Sequence, residues 1–173
     1  MADLAINLLR REHERTRSVL LDFEALLRSL ESTFEFSPEN LETLGRTLHY
    51  IEQDLTPNLS IEEEVFYPAL EGLFAGNLGP LMVLKAEHDA IRLHFSRVRE
   101  ISKGLRSGEN PPGMVQDLEE WGWKAWQALQ DHLYKEEKVL FPVAAGFLTE
   151  QVDTELVRRI SNPRPGQGQS EQD

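Results

Sequence analysis

The chain repeats itself, and each copy interrupts its apolar helical faces with polar residues at matching places. Residues 12–17 read Glu-His-Glu-Arg-Thr-Arg, and residues 87–92 read Glu-His-Asp-Ala-Ile-Arg. Residues 58–68 read Asn-Leu-Ser-Ile-Glu-Glu-Glu-Val-Phe-Tyr-Pro, and residues 132–142 read His-Leu-Tyr-Lys-Glu-Glu-Lys-Val-Leu-Phe-Pro. His13 and His88 are 75 positions apart, and Asn58 and His132 are 74 apart. Offsets this similar imply two like helical hairpins related by a pseudo-two-fold axis. Such an arrangement carries His13, Glu62, His88, His132 and Glu136 toward one centre.

The faces themselves are helical. Leu9, His13, Thr16, Leu20, Phe23, Leu27 and Leu30 recur at steps of four and three, which predicts a helix over about residues 3–31. Ser37-Pro38 supplies an N-cap and a first-turn proline for a second helix. Its face reads Leu41, Leu44, Leu48, Ile51, Leu55, Asn58, Glu62, Val65. Gly76, Gly79 and Pro80 mark a break, and a third face follows with Leu81, Leu84, His88, Ile91, Phe95 and Val98. Gly104, Gly108, Pro111, Pro112 and Gly113 break the chain again. The fourth face reads Leu118, Trp121, Ala125, Leu129, His132, Glu136, Val139, Val143.

Pro68 and Pro142 are expected to kink or end the second and fourth helices. A short fifth helix is expected near 149–160. The stretch from Asn162 to Asp173 is rich in Pro, Gly and Gln and offers nothing apolar to bury, so disorder is expected there. The fold class expected is all-α: an up-down-up-down four-helix bundle over residues 1–160 with a short C-terminal fifth helix, then a disordered tail over 161–173.

A helix face that points into a bundle is normally Leu, Ile, Val and Ala. A buried carboxylate without a partner is expensive, so it is paired, protonated or bound to a cation. Here histidines stand at 13, 88 and 132, glutamates at 62 and 136, and an asparagine at 58, all on inward faces. A divalent metal satisfies such a set together. Imidazole suits iron, zinc, copper and nickel, and a carboxylate can bridge two ions. His132 and Glu136 lie one turn apart and can address the same centre. A single inward histidine is more often a hydrogen-bonded core residue; five convergent donors in register reverse that preference.

Glu12, Glu63, Glu87 and Glu137 lie beside the inward faces. They are expected either in solvent or orienting the histidines. Arg17 and Arg92 repeat as well, and their plain reading is a salt bridge to a nearby carboxylate. His49 falls opposite Asn58 on its helix, and His94 falls beside Phe95, so neither is expected in the centre. Trp121, Trp123 and Trp126 read as packing residues rather than an electron relay.

The net charge of -12 argues against nucleic acid and against an anionic membrane surface. The absence of cysteine excludes disulfides and thiolate metal sites. No run of about 18 apolar residues is present, so no spanning helix is expected. Met1-Ala2-Asp3-Leu4 lacks a basic region followed by an apolar run, and the cytoplasm is the expected location.

The ordered set of motifs resembles the hemerythrin-like, or HHE cation-binding, family over about residues 5–145. The matching pieces are Glu12-His13, Glu62-Glu63 with Phe66-Tyr67-Pro68, Gly79-Pro80 with Glu87-His88, and His132 with Glu136-Glu137 and Leu140-Phe141-Pro142. The resemblance implies a four-helix bundle around a carboxylate-bridged, non-haem di-iron centre. It implies that His13 binds one iron, that His88 and His132 bind the other, and that Glu62 and Glu136 bridge them. Family members bind oxygen, sense oxygen or iron, or respond to nitric oxide.

Two departures stand out. Asn58 occupies a position where the family usually has histidine, and Arg92 stands where oxygen carriers have a second histidine one turn after the first. Asn58 could offer its amide oxygen, hold a water, or leave one iron under-coordinated. The site could therefore stay di-iron with open positions, hold one tight and one labile metal, or be a remnant. Spacing alone would also admit zinc or manganese.

The expected function is a metal-binding protein that binds or senses oxygen, nitric oxide or iron through a di-iron centre. The expected partners are metal ions and a small diatomic ligand, with the chain a monomer or homodimer. The alternatives are a di-iron oxidase or peroxidase, and a structural or interaction bundle with a degenerate site. The enzyme ranks lower because no second cluster of polar residues interrupts the apolar faces.

Overall fold

The computed structural model describes residues 3–33, 36–74, 76–107 and 113–162. Helix α1 spans Leu4–Thr33. Ser37 starts α2, its Oγ accepting from the Asn40 N–H at 3.1 Å, with Pro38 in the first turn. Helix α2 runs from Pro38 to Ala69, and α-helical Pro38–Tyr50, Thr56–Ile61 and Tyr67–Ala69 alternate with wider π-turns at Ile51–Leu55 and Glu62–Phe66. Helix α3 spans Gly79–Arg106. Helix α4 comprises Met114–Lys135, a π-turn at Glu136–Leu140, and Phe141–Phe147. Helix α5, Glu150–Ser161, is capped by the Thr149 side chain.

Among the described residues there is no strand, and the all-α class is the one expected. Helix α1 packs on α2 and α4, and α3 packs on α2 and α4, the neighbour relation of an up-down-up-down bundle. No described helix is long and apolar enough to cross a membrane.

The three π-turns share a cause. Each ends two residues before a proline: Leu55 before Pro57, Phe66 before Pro68, Leu140 before Pro142. Proline lacks an N–H and crowds the carbonyl four residues back. Widening the preceding turn relieves that crowding, and the N–H groups of Thr56, Tyr67 and Phe141 reach the carbonyls of Ile51, Glu62 and Glu136, five residues back. The Glu64 carbonyl, four residues before Pro68, accepts from Arg159 of α5 at 3.4 Å.

Of the two outcomes expected at Pro142, the helix does not end there but continues through the widened turn to Phe147. Two expectations are corrected here. Val139 and Val143, expected to face inward, are 60% and 48% exposed, because the extra residue of the π-turn rotates the face. Leu140, Phe141 and Ala144 are buried in their place. Gly104 does not break α3, which runs on to Arg106. The expected breakers Gly108, Pro111 and Pro112, and the expected tail from residue 163 onward, lie outside the described residues.

The core is divided into two apolar clusters. One gathers Leu20, Phe23, Leu27, Leu44, Phe95, Leu118 and Leu129 with their neighbours. The other gathers Leu9, Phe66, Tyr67, Leu84, Phe141 and Leu156 with theirs. His13, Glu62, His88 and Glu136 each lie in sequence between residues of the two clusters, so apolar layers stand on both sides of them. Helix α5 closes the second cluster by burying Leu156, and it is tied down by Asp153. That carboxylate is buried and accepts from the N–H groups of Leu4 and Ala5, each at 3.0 Å, thereby capping α1. Asp153→Ala is expected to lower stability by about 1–2 kcal/mol, the scale of a lost helix cap. The urea midpoint should fall accordingly, and Asp153→Asn, which keeps one acceptor, should fall less.

Candidate metal centre

The structure brings His13, Glu62, His88, His132 and Glu136 together, one or two from each bundle helix, and all five are buried. They form two overlapping triads of donor atoms: Glu62, His88 and His132, and His13, Glu62 and Glu136. His88 Nε2 lies 2.9 Å from His132 Nε2 and 3.3 Å from Glu62 Oε2. His13 Nε2 lies 3.2 Å from Glu136 Oε2 and 3.6 Å from Glu62 Oε1. Glu62 thus presents one oxygen to each side. Glu62 Oε2 and Glu136 Oε2 are buried, and the groups that face them are these imidazole Nε2 atoms, His88 for Glu62 and His13 and His132 for Glu136. Buried carboxylate oxygens beside inward imidazole nitrogens make a donor set that suits a cation.

Each imidazole is held from behind by a carboxylate on another helix, and that carboxylate is held by a cation. His13 Nδ1 lies 3.1 Å from Glu137 Oε1, which accepts from Arg17 at 2.6 Å. His88 Nδ1 lies 2.7 Å from Glu63 Oε1, which pairs with Arg92 at 2.8 Å. His132 Nδ1 lies 3.1 Å from Glu87 Oε2, and Lys135 pairs with the other oxygen. A carboxylate at Nδ1 keeps a proton there, so Nε2 is the nitrogen that would offer its lone pair to a cation at the centre. Of the two sequence readings for Glu63, Glu87 and Glu137, the structure therefore shows the orienting one, and Arg17 and Arg92 make the ion pairs expected of them.

Glu12 breaks the pattern. It accepts from Asn58 Nδ2 at 3.3 Å and from Arg15 at 2.8 Å. Asn58 is half-buried and lies beside His13 and Glu62. A cavity of about 10 Å³ sits beside it, lined by His13, Asn58, Glu62, His132 and the apolar Leu55, Leu59 and Leu133. That is about the space one water needs. His49 is exposed, and His94 packs against Trp121 with tilted rings, centroids 5.8 Å apart; neither joins a donor triad. Trp121, Trp123 and Trp126 pack against the first apolar cluster.

Sequence reasoning missed two residues. Tyr67 donates its hydroxyl to Glu136 Oε1 at 2.7 Å and stands 3.3 Å from His88 Nε2. Phe141 stacks on His13, with ring centroids 5.3 Å apart. Both lie just beyond a π-turn, which swings them onto the inward face. The signal was the proline that follows each of them, Pro68 and Pro142.

Charge in the metal-free cluster is balanced among neighbours. Burial alone would lower the His13 pKa, but the carboxylates of Glu136, Glu137 and Glu62 raise it well above 6.5. His132 is raised in the same way against its burial, mainly by Glu136. Glu136 is held well below the usual carboxylate range, the imidazoles of His13 and His132 outweighing its burial. His13 and then Arg17 hold Glu137 down at about 2. Burial, followed by Glu136, pushes the Tyr67 hydroxyl far up.

The family model for the hemerythrin HHE cation binding domain matches residues 4–144. The chain belongs to the hemerythrin HHE cation-binding family. Among its relatives are two named iron-sulfur cluster repair protein YtfE. The one from Yersinia pestis (strain Pestoides F) is 24% identical over 156 residues, which cover 83% of this chain. The one from Yersinia pseudotuberculosis serotype IB (strain PB1/+) is 26% identical over the same share. The chain covers 66% of the length of each relative. The hemerythrin match spans all four bundle helices and every residue of the two donor triads.

The pKa shifts fix a pH profile for the metal-free hemerythrin domain. His13 and His132 are raised, so their contribution is complete below 6.5 and fades as pH climbs through their folded values. Glu136 and Glu137 are lowered, so theirs is complete above 4.5 and fades as pH drops, for Glu137 through about 2. Denaturation midpoints in chelator should peak between about 4.5 and 6.5 and decline on both sides. A midpoint that climbs steadily through neutral pH would contradict these assignments.

Proposed function

We propose that this domain holds a carboxylate-bridged pair of iron ions and uses it to bind a small diatomic ligand, oxygen or nitric oxide. The observation that carries the reading is the pair of buried oxygens, Glu62 Oε2 and Glu136 Oε2, set among three imidazole nitrogens. In this reading Glu62 and Glu136 bridge, His13 serves one ion, and His88 and His132 serve the other. Iron is the first metal to test, because imidazole and carboxylate suit it and the YtfE relatives carry iron in their name. Bound iron supplies a redox-active centre with a position open to such a ligand.

The chain's own residues do the rest. Glu137, Glu63 and Glu87 fix the tautomer and ring plane of His13, His88 and His132. The two apolar clusters keep bulk water away. Asn58 donates Nδ2 to Glu12 and lines a cavity of about 10 Å³ beside His13, so that side has one imidazole. That space, about the size of one water, marks where a small ligand would sit beside His13.

Two results test the reading. Glu63→Ala, Glu87→Ala and Glu137→Ala should each weaken Fe(II) binding by ~10–100-fold, measured against a competing chelator. Asn58→His should fill the cavity and suppress nitric oxide uptake by the anaerobic Fe(II) protein, followed by absorption and by the paramagnetic resonance of the adduct. Undiminished uptake by that variant would remove Asn58 and its cavity from the account.

A further inference from the structure

We propose that Tyr67 is a metal ligand, its phenol oxygen completing the donor set on the His88–His132 side. The proposal rests on the di-iron reading above and assigns it a residue that the histidine and carboxylate pattern leaves out. Tyr67 is fully buried, and its ring stacks on His88 with centroids 5.7 Å apart. Its oxygen stands 2.7 Å from Glu136 Oε1 and 3.3 Å from His88 Nε2. The neighbouring donors keep the same spacing, 2.9 Å between His88 and His132 and 3.3 Å between His88 and Glu62. Donors at right angles about an ion ~2.1 Å away stand about 3 Å from one another. The phenol oxygen thus sits at ligand spacing from its neighbours. A tyrosine kept only for packing needs a single acceptor, which Glu136 already provides.

The pseudo-symmetry supplies a second argument. Tyr67 and Phe141 are 74 positions apart, as Glu62 and Glu136 are. Phe141 covers His13 with a plain ring, while Tyr67 covers His88 with a ring that carries an oxygen. Asn58 and His132 differ in the same direction. Both departures from symmetry place the extra donor on the His88–His132 side. A ferric ion takes a phenol as phenolate, as bound cations deprotonate other weak acids, and the proton leaves to solvent.

The test is to load the protein with Fe(II), oxidise it in air, count the iron, and record visible absorption and resonance Raman spectra. The expected result is a phenolate-to-iron band in the visible region with enhanced tyrosine ring modes. Tyr67→Phe should lose the band completely, and Tyr50→Phe should keep it. Tyr67→Phe installs the residue the fold already uses at position 141, so it should remain folded. The wild-type band is informative by itself, because the other tyrosines are elsewhere: Tyr50 bonds Thr16, and Tyr134 is exposed. Two irons per chain without the band would overturn the Tyr67 proposal and leave the di-iron reading standing, with the phenol only a hydrogen-bond donor to Glu136. No iron bound to the wild type would overturn both.

Discussion

Two carboxylates and three imidazoles buried in one layer between two apolar clusters set the terms for everything else in this bundle. Removing Glu62 and Glu136 from water is costly unless positive charge meets them. In the metal-free chain part of that charge comes from His13 and His132, whose protonated forms the same carboxylates favour. The remainder of the layer is organised outward from there. Every imidazole is braced at Nδ1, and every bracing carboxylate is braced by Arg17, Arg92 or Lys135. The result is a rigid inner ring whose Nε2 atoms and carboxylate oxygens converge on a small space.

The two hairpins build this layer by nearly the same means. Glu62 and Glu136 each open a π-turn, and each π-turn is followed by a proline. Such turns are frequent at functional sites because they change which residues face inward without ending the helix. The hairpins differ at several paired positions, and two of those pairs stand at the centre itself, Asn58 with His132 and Tyr67 with Phe141. Both differences impoverish the His13 side, which keeps a single imidazole and a cavity, and enrich the other. In the proposed di-iron reading, this asymmetry would leave one side open to a ligand and hold the other tightly.

Much of this was legible in the sequence. The 75- and 74-position offsets and the four-three spacing of apolar residues give the bundle and the convergence of His13, Glu62, His88, His132 and Glu136. Residues beyond the π-turns were not legible, because helical periodicity assumes a uniform turn. One extra residue moved Val139 and Val143 to the surface and brought Phe141 and Tyr67 inward. The partners of the bracing carboxylates were hidden for another reason. Glu137 serves His13 of α1, Glu63 serves His88 of α3, and Glu87 serves His132 of α4, so each acts across a helix pair that sequence adjacency conceals. Asn58 was visible as an odd residue, but its turn toward Glu12 depends on how closely α1 and α2 approach.

The central claim is that this layer is an asymmetric cation site. Anaerobic calorimetric titration of the metal-free protein with Fe(II) tests it most directly. The account predicts two binding steps of unequal affinity per chain, with protons released as His13 and His132 give up theirs. Absence of binding, or two steps of equal strength, would contradict it.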